Sequence, residues 1–406
     1  MLDNGGVTSP RGFKASGIAA GLKRSGKPDM ALIFSDSPAT VAGAFTTNRV
    51  AAAPVLYDRE LLENRETVRA VIINSGNANA CTGPQGMTDT KRMAECAATR
   101  LGCDTDEILV CSTGRIGVPM PMDVIVHGIA AAADALDAVG GGPAATAIMT
   151  TDTRPKEAAC QLEIDRANVT IGGMAKGAGM IAPKMRTAGL HATMLAYITT
   201  DAAVEPVFLK ECLDSAVRAS FNKINVDGDM STNDTVLLLA NGAAGNQPLT
   251  ASHPAAENFY SAVEAVAEKL AKAMVLDGEG ATKFVEVTVA GAKDAQEARR
   301  CADAIANSLL CKTAWFRGDP HWGRILDAAG YADVDLDPDG ISLDYNRTPV
   351  VRDGMDAGTP EPELAELMKA DHLIIELGLG AGAGRATVWT CDISYEYVKI
   401  NAEYHT

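Results

Sequence analysis

The apolar positions of the chain fall into short alternating or β-branched runs, which predict strands. Most of these runs are bounded by glycine, proline, asparagine or aspartate, the residues that commonly form turns. The predicted strands lie at residues 30–34, 41–45, 55–57, 68–73, 108–111, 158–164, 168–172, 193–200, 235–239, 285–290, 373–377 and 386–389. Two β-hairpins are predicted, one from 158–164 with 168–172 and one from 373–377 with 386–389.

Other segments place apolar residues at the three- and four-residue spacing of amphipathic helices. The predicted helices lie at residues 89–101, 120–136, 205–221, 254–274 and 294–308. From residue 284 onward the pattern becomes a compact mixture of strands and helices. The chain is therefore predicted to form a main domain, 1–283, and a smaller C-terminal α+β domain, 284–406.

Composition and charge limit the classes of function that fit this chain. Its 406 residues are 47% hydrophobic and 22% charged, which is typical of a globular protein, and its net charge is -16. This negative charge argues against a surface that binds nucleic acid or anionic membranes. The chain shows neither a targeting pattern nor an apolar run long enough to span a bilayer, which favours a cytoplasmic protein that acts on small polar metabolites.

Two partial motifs fail at residues that their chemistry requires. Gly21 to Lys27 fits the first seven places of a phosphate-binding P-loop, but Pro28 stands where a hydroxyl would bind Mg²⁺. We interpret this segment as a basic surface turn. The loop 226–234 lacks the glycine and the final glutamate of an EF-hand. The nine cysteines and six histidines are dispersed, which predicts buried free thiols and no metal site.

The central segment, 171–204, carries the strongest candidate chemistry. Its glycine-rich first half is predicted to be a loop, and the strand that follows begins at Thr193. If the chain were cleaved before Thr193, that residue would hold both a hydroxyl nucleophile and an α-amino base. The alternative is that Thr193 is an ordinary β-branched strand residue. Lys176, which lies among glycines, is a candidate for binding an anionic substrate.

Three further polar segments could contact a substrate. The turn 112–117, followed by a helix near Pro119, could direct backbone N–H groups at one point, as an oxyanion site requires. The hydroxyl groups of 150–153 could bind a carboxylate or an amide, or could instead cap a helix. Glu279 lies between two glycines, a context that is more typical of a turn.

Eight signatures resemble those of the ornithine acetyltransferase family, the bifunctional glutamate N-acetyltransferases of arginine biosynthesis. They are NSGNANACTG (74–83), STG-x-IG (112–117), TTDT (150–153), KGAGMIAP (176–183), ATMLAYITTDA (192–202), STNDT (231–235), DGEGATK (277–283) and the final N-x-EY (401–404). In the family, two residues separate the proline that ends KGAGMIAP from the ATML motif. In this chain, Lys184 to His191 lie between that proline and ATML. Alignment from the left places Thr187 at the nucleophile position, and alignment from the right places Thr193. We favour Thr193 because the residues after Ala192 follow the family.

The resemblance implies an α+β fold, a layered α/β/β/α-type sandwich of the self-processing N-terminal-nucleophile kind, with the smaller α+β domain at its C-terminus. It implies self-cleavage between Ala192 and Thr193, with Thr193 as the catalytic nucleophile and Thr113 and Gly114 as the oxyanion site. The implied substrate-binding residues are Thr150, Lys176, Thr193, Glu279, Asn401 and Thr406. The end of the chain would thus return to the active site.

The activity implied by the resemblance is transfer of an acetyl group from N-acetylornithine to glutamate through an acetyl-threonine ester. No cofactor is required, and acetyl-CoA is a candidate co-substrate. The two fragments would form a heterodimer that assembles further into a homo-oligomer. Three alternatives stay open: a self-processing amidohydrolase or aminopeptidase, an acetyltransferase of secondary metabolism, and an uncleaved small-molecule binder.

Overall fold

The computed structural model describes residues 1–183, 185 and 194–403 of the chain. These residues form two compact units. The described part of the first comprises residues within Met1–Asn222 and Asp229–Met274, and that of the second comprises Lys223–Gly228 and residues 275–403. The predicted domain division at 283/284, with cleavage between 192 and 193, stays a prediction.

Strands and helices are mixed in both units, which confirms the predicted α+β class. The strands are β1 Phe13–Ile18, β2 Met30–Phe45, β3 Thr67–Asn77, β4 Ile108–Arg115, β5 Lys156–Ile164, β6 Ala167–Lys176, β7 Leu195–Thr200, β8 Ile224–Asn225, β9 Thr235–Ala240, β10 Phe284–Ala292, β11 Ser342–Tyr345, β12 Thr348–Arg352, β13 Met355–Asp356, β14 His372–Gly378 and β15 Gly384–Cys391. The helices are α1 Ala53–Asn64, α2 Gly83–Leu101, α3 Met122–Asp134, α4 Gly141–Ala147, α5 Pro206–Ala219, α6 Ala256–Leu276, α7 Ala295–Asn307, α8 Leu309–Arg317, α9 Gly323–Gly330, α10 Glu361–Leu367 and α11 Tyr395–Glu403.

The first unit is built on one sheet of strand order β4-β3-β2-β9-β7-β6-β5, with β1 paired to β2. The pairs β3–β4 and β7–β9 are parallel, and the predicted hairpin β5–β6 is confirmed as antiparallel. Apolar side chains of α1 to α4 share a core with this sheet. The helix α6 buries a stripe of apolar residues at helical spacing: Phe259, Val263, Val266, Ala267, Leu270, Ala271 and Met274.

The second unit contains a sheet of order β13-β12-β11-β14-β10-β15-β8. The helix α7 packs against β10 and β15 through Ala298, Cys301, Ala302 and Ile305. Its N-terminus is capped by the Asp294 carboxylate, which accepts hydrogen bonds from the backbone N–H groups of Gln296 and Glu297. The predicted helix at 294–308 is therefore confirmed, with Asp294 and Ser308 as its flanking residues.

Two strand predictions in the first unit are wrong. Residues 55–57, predicted as a strand, lie in α1. The two strands predicted at 30–34 and 41–45 form the single strand β2, which has an irregular register between Phe34 and Ala39. The first six residues of β2 pair with β1 and its last six pair with β9, so one edge of this long strand has two partners while its other edge pairs with β3.

The hairpin predicted from 373–377 and 386–389 is also wrong, because β10 lies between β14 and β15 in the sheet. The glycine-rich connection passes across the end of β10 instead. There, Leu379 N donates to Ala290 O at 2.9 Å and Gly382 N donates to Gly291 O at 3.1 Å. The sequence pattern showed two strands joined by glycines but not the strand between them.

Several absences hold for the part of the chain that the structure describes. None of its helices combines the length and apolarity needed to cross a membrane. Residues 1–183, 185 and 194–403 also contain no group of three or more His, Cys, Asp or Glu side chains arranged to hold a metal ion. All nine cysteines are free thiols; six are buried, but Cys81 is exposed, contrary to the prediction of burial.

Candidate active site in the first unit

The parallel strands β3 and β4 end side by side and bring two signature segments together. Ser75 lies opposite Thr113, and Gly76 lies opposite Gly114. The predicted turn at 112–117 is therefore a continuation of β4 as far as Arg115. Pairing with β3 holds the backbone of Thr113 and Gly114 in place, as a preorganised oxyanion site requires.

Gly114 could not be replaced by a larger residue in this arrangement. Its φ is +129°, a backbone conformation that residues other than glycine rarely adopt. An added Cβ would also lie 2.4 Å from the carbonyl carbon of Gly76. The close approach of the two strand ends therefore explains the glycine in the STG signature. The oxyanion role of Thr113 and Gly114 stays a prediction.

Buried asparagines connect the polar signatures around these strand ends. Ser112 Oγ donates to Asn74 Oδ1 at 2.6 Å, and Asn74 Nδ2 donates to Asn77 O at 2.8 Å. Asn233, from the STNDT segment, donates through Nδ2 to Ala78 O at 2.6 Å and to Ser112 O at 2.8 Å. All these groups are buried and hydrogen-bonded, so the three segments form one connected polar network.

Asp152 is the centre of a second set of buried contacts. Its Oδ1 accepts hydrogen bonds from Lys156 Nζ at 2.6 Å and from Gly177 N at 2.7 Å, and its Oδ2 accepts one from Thr150 N at 2.9 Å. Burial alone would raise the pKa of Asp152, but Lys156 and Lys176 lower it to about 2. The carboxylate is therefore ionised, and it holds the backbone at both Thr150 and Gly177.

Lys176 is the last residue of β6 and is buried, so its predicted position in a loop is wrong. Its Nζ donates to Thr113 Oγ1 at 3.3 Å, which joins a predicted substrate-binding residue to the predicted oxyanion site. Lys176 also pairs with Leu195, the first residue of β7. The structure thus brings together Thr113, Gly114, Lys176 and, through Asp152, Thr150.

The other predicted site residues fall into two groups. Glu279 and Asn401 meet in the second unit, where Asn401 Nδ2 donates to Glu279 Oε2 at 2.7 Å. The DGEGATK loop is held there by Asp392, whose carboxylate accepts from Thr282 N and Lys283 N, and by Ser394, which donates to Gly280 O. Ala192, Thr193, Thr406 and the alternative Thr187 lie outside the described residues.

The sequence of this chain matches a known protein family over nearly its full length. The model of the ArgJ family matches residues 14–406. The chain belongs to the ArgJ family. The resemblance stated from its signatures is thereby confirmed, and it extends over both units.

Individual ArgJ family members align with nearly the full length of this chain. The chain is 49% identical over 397 residues to the arginine biosynthesis bifunctional protein ArgJ of Geobacter sulfurreducens, which covers 98% of this chain and 99% of that protein. It is 46% identical over 412 residues to the glutamate N-acetyltransferase of Methanocaldococcus jannaschii, with 99% of each chain covered. Among solved structures, the ornithine acetyltransferase of Mycobacterium tuberculosis complexed with ornithine is 46% identical, with a TM-score of 0.42, and the match covers 45% of this chain and 97% of that chain.

Three residues of the candidate site have a weak signal or none in the sequence. Asp152 lies in the segment 150–153, whose residues could also cap a helix, and its contact with Thr150 N is local. Its contact with Gly177 joins residues that are distant in sequence, so no local pattern could reveal it. Asn233 lies within the STNDT signature, and the sequence does not distinguish it from its polar neighbours. Lys156 showed no signal as a single lysine at the start of a strand.

The contact between Glu279 and Asn401 leads to a quantitative prediction for this ArgJ family member. Replacing Asn401 with alanine removes a hydrogen bond to a carboxylate, worth about 1.5–3 kcal/mol when buried. Since Asn401 itself is exposed, we expect a loss of roughly tenfold in kcat/KM for acetyl transfer. Steady-state kinetics would measure it. Lys399→Ala, an exposed change on the same helix, is the matched control, and an equal loss in both variants would contradict a specific role for Asn401.

Proposed function

We propose that this ArgJ family member is a transacetylase that moves an acetyl group from N-acetylornithine to glutamate, and so recycles ornithine in arginine biosynthesis. Family membership over residues 14–406 is the observation that carries this proposal. The protein from Geobacter sulfurreducens is named bifunctional, and the one from Methanocaldococcus jannaschii is named a glutamate N-acetyltransferase. Acetyl-CoA is proposed as an additional acetyl donor, and no other cofactor is required.

Thr193 is the proposed nucleophile once the bond after Ala192 is cleaved. The position of β7 supports this proposal. This strand begins two residues after Thr193 in the chain, and its first residue pairs with Lys176, which donates a hydrogen bond to Thr113. The new α-amino group would have an ordinary pKa of about 7.7–8.0, which suits a general base near neutral pH.

The proposed reaction has two half-reactions. Thr193 Oγ attacks the acetyl carbonyl of N-acetylornithine while the α-amino group takes the hydroxyl proton. The oxyanion is held at Thr113 and Gly114, and its collapse breaks the amide bond and returns the proton to the departing ornithine amine. The glutamate amine then attacks the acetyl-threonine ester, N-acetylglutamate is released, and Thr193 recovers its hydroxyl proton.

The substrate-binding groups of the first unit are suited to an amino acid. Lys176 would attract a carboxylate, and Thr150 would donate a hydrogen bond. Glu279 and Asn401 of the second unit, together with Thr406, are the further proposed substrate contacts. We also propose a cytoplasmic location and a heterodimer of the two fragments that forms a larger homo-oligomer.

The proposed function can be tested by incubating the purified protein with N-acetylornithine and glutamate and quantifying N-acetylglutamate, ornithine and acetate. We expect N-acetylglutamate to form in equal amount to ornithine. With glutamate omitted, mass spectrometry is expected to show one acetyl group on the fragment that begins at Thr193. Acetate release that glutamate does not suppress would instead identify an amidohydrolase.

Growth of an arginine auxotroph provides a second test of the biological role. Expression of this chain in a strain that lacks its own ornithine acetyltransferase is expected to restore growth without arginine. Transfer in vitro without rescue would favour an acetyltransferase of secondary metabolism. A single unbroken chain with no transfer would favour the small-molecule binder.

A further inference from the structure

The turn at Gly21–Lys27 lies at the surface, as its sequence predicts, with Arg24 and Lys27 exposed, but its first residues also bind a buried carboxylate. Four consecutive backbone N–H groups, from Ala20 to Lys23, donate to the carboxylate of Asp29 at 2.6 to 3.1 Å. Asp29 is fully buried. The turn therefore does have the anion-binding geometry of a backbone nest, but a carboxylate of the same chain fills it.

This turn directs the side chain of Lys23 into the first unit. Lys23 Nζ donates to Pro28 O at 2.7 Å and to Met149 O at 2.8 Å. Met149 directly precedes Thr150, a predicted substrate-binding residue. On its other side, Lys23 Cγ lies 3.4 Å from the position that a Cβ on Gly76 would occupy, and Gly76 lies opposite Gly114. Lys23 thus contacts the segment before Thr150 and lies close to Gly76.

The charged groups that face Lys23 are Asp29, Asp152, Lys176 and Lys27. Lys27 is exposed. Lys23 lies close enough to Lys176 for their ammonium groups to interact, and Lys156 and Lys176 both act on Asp152. A cluster of ammonium groups beside buried polar groups favours an anionic ligand group, and both proposed substrates carry an α-carboxylate.

We propose that Lys23 is a positioning residue of the acetyl-transfer site, which holds the backbone before Thr150 and, with Lys176, makes the site selective for substrates with an α-carboxylate. This inference rests on the proposed function. Lys23 lies outside the family signatures, and in this proposal it helps the site to discriminate between an amino acid and its amide.

Binding of ornithine and of ornithine α-carboxamide, measured by titration calorimetry on the purified protein, provides a test that needs no turnover. The variants are Lys23→Met and Lys23→Arg, with Lys27→Met as the control because Lys27 is an exposed lysine on the same turn. We expect Lys23→Met to weaken ornithine binding roughly tenfold and to leave carboxamide binding within about twofold. Lys27→Met should change neither.

The pH dependence separates a charge effect from a purely structural one. Burial lowers the pKa of Lys23 to about 8, although Asp29 opposes the shift. Ornithine binding by the unaltered protein is therefore expected to weaken as the pH rises through about 8, when Lys23 loses its charge. Lys23→Arg should make this decline smaller, because guanidinium stays charged up to about pH 12 and the proposed α-amino group of Thr193 is then the group that titrates in this range.

The outcomes distinguish the two proposals. Equal weakening of acid and carboxamide binding by Lys23→Met, or no weakening, overturns the role of Lys23, as does a decline with pH that is as large in Lys23→Arg as in the unaltered protein. If Lys23→Met fails to fold, the pH comparison between the unaltered protein and Lys23→Arg decides. Failure of acetyl transfer with normal discrimination of ornithine would overturn the proposed reaction and leave the role of Lys23 intact.

Discussion

Replacing Thr193 with alanine is expected to abolish both chain cleavage and acetyl transfer. Alanine has no hydroxyl group, so it can neither attack the acetyl carbonyl nor form the ester that carries the acetyl group. A serine at this position keeps a hydroxyl and an α-amino group, so Thr193→Ser is expected to retain part of both activities.

A denaturing intact-mass spectrum measures the cleavage directly. The unbroken chain has a mass of 42.3 kDa, and cleavage is expected to give two fragments, the second beginning at Thr193. Thr187→Ala is the matched control, since Thr187 occupies the nucleophile position when the sequence is aligned from the left. If Thr193→Ala were still cleaved and active while Thr187→Ala was not, the nucleophile would be Thr187.

Replacing Asp152 with asparagine is expected to give the second largest effect. All three groups that contact its carboxylate are donors: Lys156 Nζ, Thr150 N and Gly177 N. An asparagine would turn its own NH₂ donor toward one of them and remove the negative charge that faces the buried Lys156 ammonium. Breaking such a buried pair costs about 3–5 kcal/mol. We expect a loss of stability of that order and, because Thr150 and Gly177 both lose an anchor, higher KM values for donor and acceptor.

Urea unfolding of Asp152→Asn, Lys156→Met and the double variant isolates the charge pair. The double variant is expected to be more stable than Asp152→Asn, because it no longer buries an ammonium group without the opposing carboxylate charge. The unaltered protein is also expected to lose stability as the pH falls from about 4 toward 2. The pKa of Asp152 is lowered in the folded state, so its contribution is present above the ordinary carboxyl pKa and is lost as the group becomes protonated. A double variant as unstable as Asp152→Asn would contradict the pairing.

The secondary structure was predictable where local pattern and burial agree. Strands β5 and β6 alternate and are joined by a short turn, and α6 has a continuous apolar stripe. The prediction of a strand at 55–57 was wrong because the polar residue Asp58 interrupts the apolar spacing that would indicate a helix. Asp58 is a polar residue, but it is fully buried in α1 and accepts a hydrogen bond from Val110 N at 2.8 Å. The pattern of apolar letters could not include it.

Glycines misled the sequence interpretation at Lys176 for a related reason. Gly173 and the glycines after Lys176 indicated a loop, yet β6 continues through Gly172 and Gly173 to Lys176. A Cβ on Gly172 would lie 2.0 Å from the carbonyl oxygen of Gly6. These glycines mark a strand that another part of the backbone approaches closely, and that approach exists only in the folded chain.

The sequence by itself determined the α+β class, the five longest helices of the described residues, most of their strands, the family and the residue types of its signatures. Local periodicity and contiguous motifs are properties of neighbouring residues. Only the tertiary structure decided which groups meet. It joined Asp152 to Gly177 and Lys176 to Thr113, placed β10 between β14 and β15, and turned Lys23 inward toward Thr150. These contacts depend on how distant segments pack and on which charges are buried together, and a linear sequence contains no local signal for either.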